Sequence, residues 1–144
     1  MESLQKSLQR SLAINLKTHA VALEGFVANI HNELIKYSSS NAFLNILLSV
    51  SQPSNGCIKI DMPLCGETIT SSSRYYFSTN KMPIVLLNFH NTSNQNALHL
   101  VIDHTGRVTA PQTNSFGEFD HNDQSLPFAI IEEVVHKTFN FVRT

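Results

Sequence analysis

A chain of 144 residues and 16.1 kDa, 42% hydrophobic, has the length and apolar content of one core, which predicts a single domain over residues 1–144. Ten Lys plus Arg against eleven Asp plus Glu leave a net charge of -1, so the positive footprint that a phosphate backbone demands is missing and nucleic acid is not an expected partner. The opening Met-Glu-Ser-Leu-Gln-Lys lacks the apolar core of a signal peptide, and the longest apolar stretch, 43–50, falls far short of the roughly 20 residues of a membrane span. A soluble, cytoplasmic protein with no membrane partner is the expectation.

The first predicted element is a helical segment over 1–38. Leu16, Ala20, Leu23, Val27, Ile30, Leu34 and Tyr37 recur at alternating spacings of four and three, the rhythm of a helix seam, and Leu4, Leu8 and Leu12 extend the stripe upstream. A second row with Ile14, Val21 and Ile35 widens the apolar arc, while Gly25 is a point where the helix could kink. The run Ser38-Ser39-Ser40-Asn41 ends the element, because short polar side chains compete for backbone hydrogen bonds.

Antiparallel strands are predicted over 43–110. From Phe43 the apolar period changes to two, with Leu44, Ile46, Leu48 and Val50 on one side, which predicts a half-buried strand, with helix as the competing reading of this apolar run. The turn residues Gln52 to Gly56 then lead to a second strand with Ile58, Ile60 and Met62 on one face. Beyond Gly66, Thr68 to Thr70 and the cluster Tyr75, Tyr76 and Phe77 predict one long or broken strand, with a bulge or bend at Ser71 to Ser73. The clearest hairpin joins 84–90 to 97–103. Setting Phe89 opposite Leu98 brings Leu87 to Leu100 and Val85 to Ile102, an entirely apolar face. Asp103 to Gly106 predicts a type I turn with Gly in the left-handed position, followed by a short strand over 107–110.

Residues 111–124 read as a polar loop pinned by Phe116 and Phe119, and a C-terminal amphipathic helix is predicted over 125–142, with Ser125 as N-cap and Pro127 in its first turn. Its expected apolar face carries Phe128, Ile131, Val134, Val135, Phe139 and Val142. The assembled fold class is two-layer α+β: an antiparallel sheet of five or six strands with a long N-terminal helix and an amphipathic C-terminal one. One sheet face is left with an apolar island of Leu47, Ile84, Leu86 and Val101, and such patches mark contact surfaces.

Candidate chemistry is sparse. His99-Leu100-Val101-Ile102-Asp103 resembles the H-x-x-x-D motif of the chloramphenicol-acetyltransferase-like acyltransferases, a resemblance of five residues that implies a general base at His99 and a structural partner at Asp103. On a strand those residues stand about 13 Å apart, beyond a direct hydrogen bond. A cysteine hydrolase would use Cys65 as nucleophile, His90 or His99 as base and Asp103 or Asn88 as orienter. His90, His99, His104, Asp103 and His121 are the metal-ligating types nearest the hairpin, but no zinc spacing is present, and neither metal nor cofactor is expected. Cys57 and Cys65 are too few for a disulfide framework.

The residues therefore favour binding over catalysis: a non-enzymatic interaction module, whether adaptor, chaperone-like binder or assembly subunit. It would form a homodimer or higher oligomer through the seam residues Leu16, Leu23, Val27, Ile30 and Leu34 and the island Leu47, Ile84, Leu86 and Val101, and take a protein partner. The element order is also similar to that of PAS and GAF small-molecule sensors.

Overall fold

The computed structural model describes residues 4–54 and 56–139. Its first element, α1 (Leu4–Ser40), is one unbroken helix of 37 residues, about 55 Å long at 1.5 Å per residue. Gly25 does not divide it. The helix ends at the serines, as expected, where each hydroxyl turns back on the carbonyl three residues earlier and competes with the backbone ladder: Ser38 donates to Ile35, Ser39 to Lys36 and Ser40 to Tyr37, at 3.0–3.2 Å.

Residues 43–48 correct the sequence expectation. A short helix, α2 (Leu44–Leu47), stands where a strand was read, and the first strand, β1 (Ser49–Ser54), starts later. The Asn41 side chain accepts the Leu44 amide at 3.0 Å and its carbonyl accepts the Asn45 amide at 3.1 Å, so a turn of helix is nucleated before the chain can extend. Of the alternating set Leu48 is a core residue, Leu44 and Val50 pack against the core in part, and Ile46 is exposed.

β2 (Cys57–Met62) follows, then a 3-10 turn at Pro63–Cys65, β3 (Glu67–Phe77), β4 (Pro83–His90), β5 (Asn96–Ile102), β6 (Arg107–Thr109), β7 (Glu118–Asp120) and finally α2's longer counterpart, α3 (Leu126–Thr138). The seven strands, rather than five or six, form one sheet in the order of the chain, each antiparallel to the next. β7 lies inside the segment 111–124 that was read as loop, although Phe116 and Phe119 do pin that segment, their rings 5.2 Å apart. β3 has no bulge at Ser71 to Ser73; its register with β4 runs unbroken from Thr70 opposite His90 to Phe77 opposite Pro83. The β4–β5 register is the one inferred from apolar alternation, with Phe89 opposite Leu98, Leu87 opposite Leu100 and Val85 opposite Ile102.

Both long helices pack on the same face of the sheet. Ile58, Ile60, Met62, Ile69, Val85, Leu87, Phe89, Leu98, Leu100, Ile102 and Val108 line that face and are closed over by Leu23, Val27, Ile30 and Leu34 of α1 and by Leu126, Ile130, Ile131 and Val134 of α3. Fully burying each such side chain contributes about 1.5–3 kcal/mol. The expected face of α3 is rotated in part: Ile130 is a core residue, whereas Phe128 is 52% exposed, its ring edge-on to Tyr37. α3 closes at Thr138, with Phe139 extended, and Val142 lies outside the described residues. Ser125 makes no side-chain cap; the Asp123 carboxylate accepts its amide at 2.8 Å instead.

At the crossing of α1 with the sheet, Gly106 is held at φ 90°, and a methyl there would come within 2.6 Å of the His121 ring and 3.3 Å of Phe26. The left-handed glycine read from Asp103 to Gly106 thus serves close packing as well as the turn.

Candidate interaction surface

The sheet face away from the helices is open. Directly paired residues share a face, so the register places Lys59, Thr70 and His90 in one row, Ser72, Asn88 and His99 in the next, and Arg74, Leu86, Val101 and Thr109 in a third, with Tyr76 and Ile84 beyond. Ile84, Leu86 and Val101 are half-buried among these neighbours. Leu47 is not part of this island, because it sits in α2 and not on the sheet; Tyr76 takes the fourth place.

A second surface belongs to α1. Six strand spacings of about 4.8 Å make the sheet roughly 29 Å wide, much less than the length of the helix. Asn15 donates to the Lys81 carbonyl at 2.8 Å in the β3–β4 turn, and residues 5–10, beyond that anchor, are exposed on every side. Ile14 and Val21, 57% and 80% exposed, lie on the face turned from the core. The seam is therefore divided. Leu23, Val27, Ile30 and Leu34 are spent on the chain's own sheet, which corrects their expected place between copies, and Leu16 is half-buried at the margin.

A third feature is a cavity of about 410 Å³ between α1 and the sheet, lined by Glu24, Val27 and Ala28 on the helix, Gln52 and Gly56 at the end of the β1–β2 hairpin, and Ser73, Tyr75 and Val85 on the sheet. Burial, then the neighbouring Glu24 carboxylate and its hydrogen bond, push the Tyr75 phenol above its ordinary value. Nothing in the sequence periodicity marks this cavity, since it arises where two strands part.

The chemical candidates are scattered. The His99 ring hydrogen-bonds Asn88 across the β4–β5 pair rather than Asp103. Asp103 accepts the Thr105 hydroxyl at 2.6 Å and the amides of Thr105 and Arg107 at 2.9 and 3.0 Å, which makes it the organiser of its own turn. Burial works to raise the Asp103 carboxyl, but those hydrogen bonds and the nearby His104 outweigh it and hold the group below its ordinary value. Cys65 is exposed in the 3-10 turn, its thiol 3.4 Å from the Met62 carbonyl. Counting five residues from Glu67 to Ser72 and two strands across to His99 puts the thiol about 17 Å along and about 10 Å across from that imidazole, so the hydrolase constellation is not assembled.

His104 meets His19 edge-on at 5.1 Å, and His121 packs on Phe26 with Asn29 at 3.3 Å. Among the described residues no group of three or more His, Cys, Asp or Glu is placed to hold a metal ion. Nor, among them, is any helix long and apolar enough to cross a membrane. Sequence reasoning overlooked His31, which is wholly buried with neither ring nitrogen hydrogen-bonded among the described residues. Its place one step from Ile30 and four from Val27 and Ile35 was the available signal. Comparison with known protein families, curated proteins and solved structures yields no match to this chain.

Proposed function

We propose that this chain is a single-domain protein-interaction module that self-associates through its open sheet face and the outward side of α1, and that it does not act as an enzyme. The observation that carries the reading is the uncovered face of the sheet, where Tyr76, Ile84, Leu86 and Val101 form an apolar corner with no layer over it among the described residues. Exposed Ile14 and Val21 on the projecting helix add to the apolar surface a second copy can cover. Two free thiols, Cys57 and Cys65, suit a reducing compartment and support the cytoplasm as its location.

Light scattering at tens of micromolar tests the reading and should give at least a dimer. Leu86→Glu should return it to a monomer with an unchanged circular dichroism spectrum, since Arg74 stands directly opposite and can receive the new charge. A monomeric parent protein overturns the proposal.

A further inference from the structure

The two edges of β3 are unequal. On the β4 side it is paired from Thr70 to Phe77; on the β2 side pairing stops at Thr70, opposite Lys59. At that point the buried Ser71 hydroxyl accepts the Ile58 amide at 2.7 Å, closing the ladder with a side chain, and the strands part. β2 turns back into β1 at Gly56, so among the described residues no strand lies against β3 from Ser73 to Phe77 on that side. Alternate residues of an antiparallel strand direct their N–H and C=O groups to each flank, and this stretch of about 17 Å presents the unpaired ones outward.

Exposed edges are ordinarily blunted by proline, bulges or brevity. The outer edge of β1 has Pro53 and a register shift between Ser51 and Ser54, and β7 has only three residues. The free stretch of β3 has none of these protections; it carries Tyr75, Tyr76 and Phe77, between 39% and 44% exposed. Directly beside it opens the cavity under α1, where Glu24 is the one charged lining group among the described residues and Val27, Ala28 and Val85 supply apolar walls.

We propose that this notch binds an extended segment of a partner protein by strand addition, its backbone pairing with the free edge of β3 and an inward-facing lysine or arginine entering the cavity beneath α1. The aliphatic stem would lie on Val27, Ala28 and Val85, and the cationic head would meet the Glu24 carboxylate, which keeps acceptor sites beyond the one used by Tyr75. Outward-facing neighbours would lie beside Arg74 and Tyr76, where threonine or an acidic side chain is favoured. Backbone pairing supplies the affinity and the cavity the selectivity.

The test uses a fluorescein-labelled nonapeptide alternating lysine with threonine, followed by fluorescence anisotropy. Binding should saturate, weaken at least about tenfold when glutamate replaces lysine, and vanish when alternate backbone nitrogens are methylated, which removes strand pairing and leaves the side chains. Glu24→Gln, on the exposed surface of the helix, should weaken it several-fold without altering the circular dichroism spectrum, and the amides of 73–77 should gain exchange protection only with peptide present. The same measurements on Leu86→Glu separate this site from self-association, since peptide binding should persist in that variant. An unchanged anisotropy up to about 1 mM peptide, weaker than any useful contact, overturns the proposal, as does indifference to methylation. Edge amides already protected without peptide, and released on dilution, would assign the edge to a second copy and overturn it equally.

Discussion

His31 is enclosed by the core, and the absence of a hydrogen-bond partner for either ring nitrogen among the described residues makes its charged form expensive there. Burial pulls its pKa down from 6.5 to about 4. The unfolded chain therefore binds the proton first as the solution is acidified, so the stability tied to neutral His31 is complete above pH 6.5 and drains away as the pH falls toward 4. Urea titrations across that window should show a loss approaching about 3 kcal/mol, at 1.36 kcal/mol per pH unit. His31→Leu should flatten the profile and raise stability at neutral pH by about 1–3 kcal/mol, because two unsatisfied nitrogens leave the interior. A variant with the parent's acid response would show that another group is responsible. At this scale the turn at Gly106 was readable, since Asp103 and Gly106 stand at the positions a type I turn requires. The burial of His31 was legible only in part: its spacing from Ile30, Val27 and Ile35 puts it beside the apolar stripe, but a 3.6-residue period says little about how far the core closes over the stripe's flank.

At the scale of elements, α1 performs two tasks along one length, and a pair of substitutions two residues apart separates them. Leu23→Glu puts a charge where exposure is 0% and should unfold the protein, seen as loss of the cooperative thermal transition. Val21→Glu faces solvent and should keep a cooperative melt, within about 0.5 kcal/mol of the parent at concentrations low enough for both to be dissociated, while weakening self-association by light scattering. Equal effects of the two would mean that the helix has no such division. The β4–β5 hairpin was legible residue by residue because every second side chain is aliphatic or aromatic and a one-residue slip would turn them all to water. The helix at 44–47 was hidden by the same signal: Leu44, Ile46, Leu48 and Val50 mimic a strand, and the deciding interactions are the two bonds that the Asn41 side chain and carbonyl accept from the amides of Leu44 and Asn45. β7 is too short for any alternation to register, being three residues defined by pairing to β6 rather than by its own composition.

For the whole molecule, both long helices lie on one side of the sheet, and among the described residues nothing covers the other side, the face proposed for assembly. Assembly through it would bind the folded state alone, so the melting temperature should rise with protein concentration in the parent and stay constant in Leu86→Glu; a concentration-independent melt in the parent contradicts assembly. The sequence supplied two apolar helices and an alternating sheet, but not which side each helix would take, because either face of β4 and β5 offers aliphatic residues. The larger continuous set, from Ile58 through Leu100 to Val108, attracts both. The order of the sheet has a further consequence. Each strand bonds to its immediate successor in the chain, so hairpins can close one after another over short loops at small entropic cost. Contact between α1 and α3, which flank the seven strands in sequence, is the distant closure. Ribosomes deliver α1 before the strands and the strands before α3, which leaves the earlier helix waiting for a surface that the nascent chain has yet to make, its leucines in need of shelter until the sheet has followed.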